Sequence, residues 1–89
     1  MSRFKRNPLI SETTLGAETF LVDSEGREVY YLDAVSSGLW RLLCDASTFD
    51  ACLAVFSGAF PDVPAERLAQ DLERALADLE KGGLVLRVD

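Results

Sequence analysis

Arg67, Asp71, Arg74 and Asp78 recur at intervals of four, three and four residues. In a helix those intervals put all four side chains on one flank, where opposite charges can meet as surface pairs worth about 0.2–0.5 kcal/mol each. Such a flank offers charge and hydrogen bonds to a guest. Catalysis asks for a nucleophile with its base, a metal cluster, or paired carboxylates in a cleft. The chain has no His, so the commonest general base is missing, and its 15 Asp and Glu residues are spread over turns and helix surfaces. Cys44 and Cys52 lack the C-x-x-C spacing of a zinc site or a redox dithiol, and both read as buried structural thiols. Gly82-Gly83 follows a helical pattern, whereas a phosphate cradle precedes a helix. The expectation is a binding protein without enzyme activity, cofactor or metal.

Eighty-nine residues, 48% hydrophobic and 27% charged, suit one folded domain spanning 1–89. A net charge of -6 sets up a field that repels polyanions, which argues against nucleic acid as a partner. No run approaches the roughly 20 apolar residues that span a bilayer, and the basic N-terminus lacks the apolar stretch of a signal peptide. A cytoplasmic location without membrane attachment is therefore expected. The basic cluster Arg3-Phe4-Lys5-Arg6 reads as part of a solvated, flexible tail over residues 1–8.

The elements that must position the charged flank are legible from local pattern. Leu9 to Leu15 and Glu18 to Asp23 are strand-like runs joined by Gly16-Ala17, with Gly at the first loop position as a type II′ hairpin prefers. Asp23 or Ser24 opens a second turn that Gly26 closes, and Glu28 to Leu32 returns as a third strand. Asp33 caps a helix from about Ala34 to Cys44 that carries Leu39 and Trp40. Ser47 or Thr48 caps a second helix with Asp50 in the manner of a capping box, its apolar stripe being Phe49, Cys52, Leu53 and Phe56. Pro64 opens the third helix, Leu68, Leu72, Ala75, Leu76 and Leu79 form its apolar face, and Gly82-Gly83 ends it. "GLVLRV" then packs back on the core or adds a strand. The fold class is α+β: a three-stranded antiparallel meander followed by three helices, in a winged-helix-like order.

One strand departs from the habit of a half-exposed sheet, which alternates apolar with polar. Glu28-Val29-Tyr30-Tyr31-Leu32 is apolar or aromatic on both faces. Tyr30 and Tyr31 point to opposite sides, so one can serve the core while the other borders an edge that receives a guest.

The ordered set of elements resembles the PqqD-like proteins, the leader-peptide recognition domains of ribosomally made, post-translationally modified peptides. "YYLDAVSSGLWRLL" is similar to the family's strand end, polar cap and apolar-Trp helix; "STFDACLAVF" resembles its Thr-led second helix; "DLERALADLEKGGLVL" resembles its third helix with terminal Gly-Leu. The likeness runs from about Leu9 to Leu86. Asp33 stands where the family commonly has Asn and Asp50 where Glu is usual, and both keep capping chemistry. The resemblance implies a non-catalytic peptide chaperone that takes the leader of a precursor peptide as an added antiparallel strand. It further implies presentation to a separate maturation enzyme of radical SAM, cyclase or protease type. The contacts expected on this chain are Glu28, Val29, Tyr30, Tyr31 and Leu32 from the strand, and Arg67, Asp71, Arg74, Ala75 and Asp78 from the third helix. The opposite helix flank, Glu73 and Glu80, is the fallback.

Two other readings use the same elements. A winged-helix DNA-binding protein would need unmatched Arg and Lys on its recognition helix, whereas Arg67 and Arg74 are accompanied by Asp71 and Asp78. A homodimer could pair through the same sheet edge, since an edge that accepts a peptide also accepts a second copy.

Overall fold

The structure, a computed structural model, describes residues 2–23 and 25–88. The chain order is β1 (Arg3–Arg6), β2 (Ser11–Leu15), β3 (Glu18–Val22), β4 (Val29–Leu32), α1 (Ala34–Leu42), β5 (Ser47–Thr48), α2 (Phe49–Ala59), α3 (Ala65–Lys81) and β6 (Val85–Val88). The expected antiparallel meander is present as the sheet β2-β3-β4, and the three helices follow it.

Local chemistry explains most boundaries. Gly16 takes φ 64 while Ala17 stays at negative φ, the combination a type II′ loop needs, and Leu15 pairs with Glu18 across it. Asp23 opens the second turn by accepting the Arg27 amide on its carboxylate at 2.8 Å, and Gly26 closes it. Ser24, the alternative opener, lies outside the described residues. The Asp33 carboxylate accepts the Ser36 amide at 2.8 Å and starts α1. At its far end α3 closes in a Schellman motif. The Leu84 amide donates to the Leu79 carbonyl at 2.9 Å and the Gly83 amide to Glu80 at 3.0 Å, with Gly83 at φ 73.

Several expectations are corrected. Helix α1 stops at Leu42, so Cys44 lies beyond it and is exposed, while Cys52 is buried. Thr48 alone caps α2, accepting the Ala51 amide at 3.1 Å; Asp50 stands only two residues after it and closes no capping box. Pro64 occupies the cap position of α3 rather than its first turn and makes no side-chain cap.

The largest correction concerns the N-terminus. Arg3–Arg6 is a strand at the centre of a second sheet, β5-β1-β6, paired antiparallel with Val85–Val88 so that Phe4 faces Arg87. Phe4 is buried while Arg3 and Lys5 stay exposed, so the cluster expected as a solvated tail is a paired strand that sends one side chain into the core. Polar links hold it there. Arg6 Nε donates to the Trp40 carbonyl at 2.7 Å, its guanidinium lies 4.8 Å from the Trp40 ring, and the Asn7 side chain donates to the Gly83 carbonyl at 2.8 Å. The alternation of apolar Phe4 with polar Arg3 and Lys5 was the strand signal beneath the basic composition.

The core lies between the meander and the helices. Leu21, Leu39, Leu43, Leu72 and Val85 are its most enclosed large side chains, with Trp40, Phe56 and Leu79 also buried. Burial of the α3 stripe Leu68, Leu72, Ala75, Leu76 and Leu79 fixes which flank of that helix is left for solvent or a guest.

Candidate functional site

Strand β4 is an edge of its sheet: it pairs with β3 through Thr19 with Leu32, Phe20 with Tyr31, Leu21 with Tyr30 and Val22 with Val29, and among the described residues no strand covers its other side. The ladder parity follows from the turn. The Asp23 amide donates to the directly opposite Glu28 carbonyl at 3.2 Å, and hydrogen-bonded pairs alternate along an antiparallel ladder. Tyr30 and Leu32 therefore turn their amides and carbonyls to β3, while Val29 and Tyr31 turn theirs to the free edge. Those backbone groups are a template for a further strand.

The side chains sort as the two-faced pattern implied. Leu32 is buried and Tyr30 packs partly against the core, whereas Val29 and Tyr31 stand on the outer face, 64% and 59% exposed. Tyr31 leans on Phe20 with ring centroids 5.5 Å apart. The Tyr30 hydroxyl donates to the Glu28 carboxylate, and this bond, with lesser contributions from burial and nearby negative charge, holds the phenol above its ordinary pKa.

Beside β4 runs a groove in three joined stretches. The first, about 260 Å³, lies between Tyr30, Tyr31 and Leu32 on one wall and Asp78, Leu79 and Leu84 on the other. It shares Asp33, Ser36 and Asp78 with a second stretch of about 270 Å³, lined further by Val35, Asp71, Arg74 and Ala75. Val35 and Asp71 lead into a third, about 300 Å³, walled by Phe56, Phe60, Val63 and Leu68 with Arg67 at its side.

The packing of α1 on α3 thus brings Tyr30, Tyr31 and Leu32 of the strand and Arg67, Asp71, Arg74, Ala75 and Asp78 of the helix to one groove, while Val29 stands outside its lining and Glu28 reaches it only through Tyr30. The fallback flank is turned elsewhere: Glu80 pairs with Arg87 at 3.1 Å. The charges of the flank could pair as a ladder or stand as a solvated face, and the second holds. Among the described residues the ion pairs join Arg6 to Glu12, Arg27 to Glu25 and Arg87 to Glu80, so the four ladder charges do not neutralise one another at pairing distance. Extended side chains at i and i+4 pay entropy to meet, and in water the return is small.

Asp33, Val35 and Ser36 also line the groove and were missed as site residues. Their signal was available, since the first turn of a helix that directly follows an edge strand must lie at the end of that edge.

Chemically the groove can bind and orient an extended chain. Among the described residues no group of three or more His, Cys, Asp or Glu side chains is placed to hold a metal ion, and no helix is long and apolar enough to cross a membrane. The Cys52 thiol is raised in pKa chiefly by burial, which makes it a poor nucleophile.

A family model described as coenzyme PQQ synthesis protein D (PqqD) matches residues 18–85. Two solved structures share the fold. One, of TbiB1 in complex with the TbiA(beta) leader peptide, has a TM-score of 0.79 and 21% identity, over 91% of this chain and 93% of that one. The other, of lasso peptide synthetase B1 complexed with the leader peptide, has a TM-score of 0.77 and 19% identity, over 93% of this chain and 96% of that one. No curated protein matches the chain significantly.

Proposed function

Because the chain belongs to the PqqD family, we propose that it takes the leader region of a ribosomally synthesised precursor peptide as a strand added to β4 and presents it to a separate maturation enzyme. The observation that carries this reading is the open backbone edge at Val29 and Tyr31, set beside a groove whose far wall is α3. Strand addition draws affinity from main-chain hydrogen bonds and choice of partner from side-chain pockets, and both are available here. Both structural neighbours are complexes with leader peptides, which supports the same role for this chain.

Affinity suffices for the task. Holding the leader converts the encounter of core peptide and enzyme into a tethered event at a high effective concentration. In this role Glu28 to Leu32 supply the receiving strand, and Arg67, Asp71, Arg74, Ala75 and Asp78 border the guest, joined by Asp33, Val35 and Ser36. The enzyme, of radical SAM, cyclase or protease type, is a different chain.

The test is an amide NMR titration with the leader of a precursor peptide encoded beside this chain. Shifts should gather on residues 28–32 and on the α3 flank from Arg67 to Asp78. Shifts confined to α2, with β4 silent, would overturn the reading however tight the binding.

A further inference from the structure

We propose that the groove selects leaders carrying a Lys or Arg immediately beyond the strand-forming segment, at the end that passes Leu32 and Asp33. The inference rests on the strand-addition reading and goes further by assigning the charge of the guest.

Its basis is the middle stretch of the groove, where three carboxylates, Asp33, Asp71 and Asp78, share the walls with one guanidinium, Arg74. Arg74 does not approach any of them within 4.0 Å among the described residues, so the carboxylates retain their charge toward the groove. Asp33 accepts the Ser36 amide, which uses one lone pair and offsets the positive end of α1, so the helix terminus is already served. Among the described residues these carboxylates are not grouped so as to hold a metal ion, and charge complementarity favours a cationic side chain of the guest. The neighbouring stretches add apolar walls to charges they share with the middle one: one sets Tyr30, Leu32, Leu79 and Leu84 beside Asp33 and Asp78, the other sets Phe56, Phe60, Val63 and Leu68 beside Asp71, with Arg67 added. The middle stretch is where all three carboxylates meet, with apolar side chains added on either side, and it is there that a cation of an extended guest is best matched. With the chain at -6 overall, the long-range field acts in the same direction and speeds the encounter with a basic leader.

The experiment is selection of a random twelve-residue peptide library, displayed on phage, against the wild-type protein, followed by titration of synthetic copies of the winners. Selected peptides should share a Lys or Arg at one fixed spacing from a β-forming stretch. Asp71→Asn with Asp78→Asn should weaken them roughly three- to tenfold, as expected for two partly exposed charges. Arg74→Glu should tighten them. Glu66→Gln with Glu73→Gln makes the same change in net charge on exposed positions that do not line the groove, and should leave affinity within about twofold. The loss in the Asp71/Asp78 variant should shrink as salt is raised to about 0.5 M. Peptides that shift the β4 amides yet show no basic preference, or lose equal affinity in both double variants, would overturn the charge assignment and leave strand addition standing. Selection of nothing, or of peptides that leave β4 unshifted, would overturn strand addition and the charge assignment together.

Discussion

The indole N–H of Trp40 donates to the carboxylate of Glu12 at 2.6 Å, tying the last turn of α1 to β2, the edge of the meander opposite β4. Arg6 closes the arrangement, its guanidinium 3.9 Å from the same carboxylate oxygen and its Nε on the Trp40 carbonyl. One acidic side chain thereby joins β1, β2 and α1. Glu12→Ala would strand a buried indole donor and should cost about 1–3 kcal/mol in urea denaturation, whereas Glu12→Gln keeps an acceptor and should cost less. Trp40 is the single Trp and reports the transition by fluorescence.

Leu72 sits at the centre of the α3 stripe with no exposed surface. Leu72→Ala removes its contacts and leaves a cavity, so unfolding free energy should fall by about 2–5 kcal/mol. A change within error in chemical denaturation would mean that α3 packs on another face.

Val29 directs its amide to the free edge of β4. Val29→Pro deletes that donor without touching the β3 ladder, and proline is tolerated at strand edges. Thermal stability should change little while leader affinity falls by about 0.5–1.5 kcal/mol for the lost bond, and by more if the edge also bends. Tyr30→Phe keeps every backbone group and should bind nearly as wild type. The check is isothermal titration of both variants with one leader peptide.

The hydrogen bond to Glu28, burial and the charges of Glu28 and Asp23 all hold the Tyr30 phenol above 10.0. The folded state thus keeps this proton to higher pH than the unfolded chain does. The associated stability is fully present below the unfolded pKa and is lost as pH rises through the folded one. In absorbance titration at strongly alkaline pH, Glu28→Ala should ionise its phenols earlier than the wild type, and the stability gap between the two should close at the alkaline end.

The two thiols differ in surroundings: Cys44 is exposed and Cys52 is buried with its thiol pKa raised. A thiol-specific reagent should label Cys44 quickly under native conditions and Cys52 only on unfolding. Equal labelling rates would place Cys52 outside the core.

The strands of the meander, the caps at Asp33 and Thr48, and the Gly83 terminus of α3 were legible because each is decided within a few residues, by alternation, by one side-chain acceptor or by one positive φ. The charged flank of α3 was legible for the same reason, since Arg67, Asp71, Arg74 and Asp78 need only the helical period to align. The partner of Arg3–Arg6 was not, because Arg6 pairs with Val85 at the other end of the chain, and no local rule weighs a basic tetrapeptide against a strand so far away. Nor could the local pattern tell that the flank charges stay unpaired, or that Asp33 and Asp78 share a groove. Those relationships arise only when α1 packs on α3 and the two elements enclose a space that neither has alone. The sequence by itself determined an edge strand with two apolar faces and a charged helical flank; tertiary packing decided that they face each other, because burying Leu72, Leu76 and Leu79 leaves the helix no other orientation.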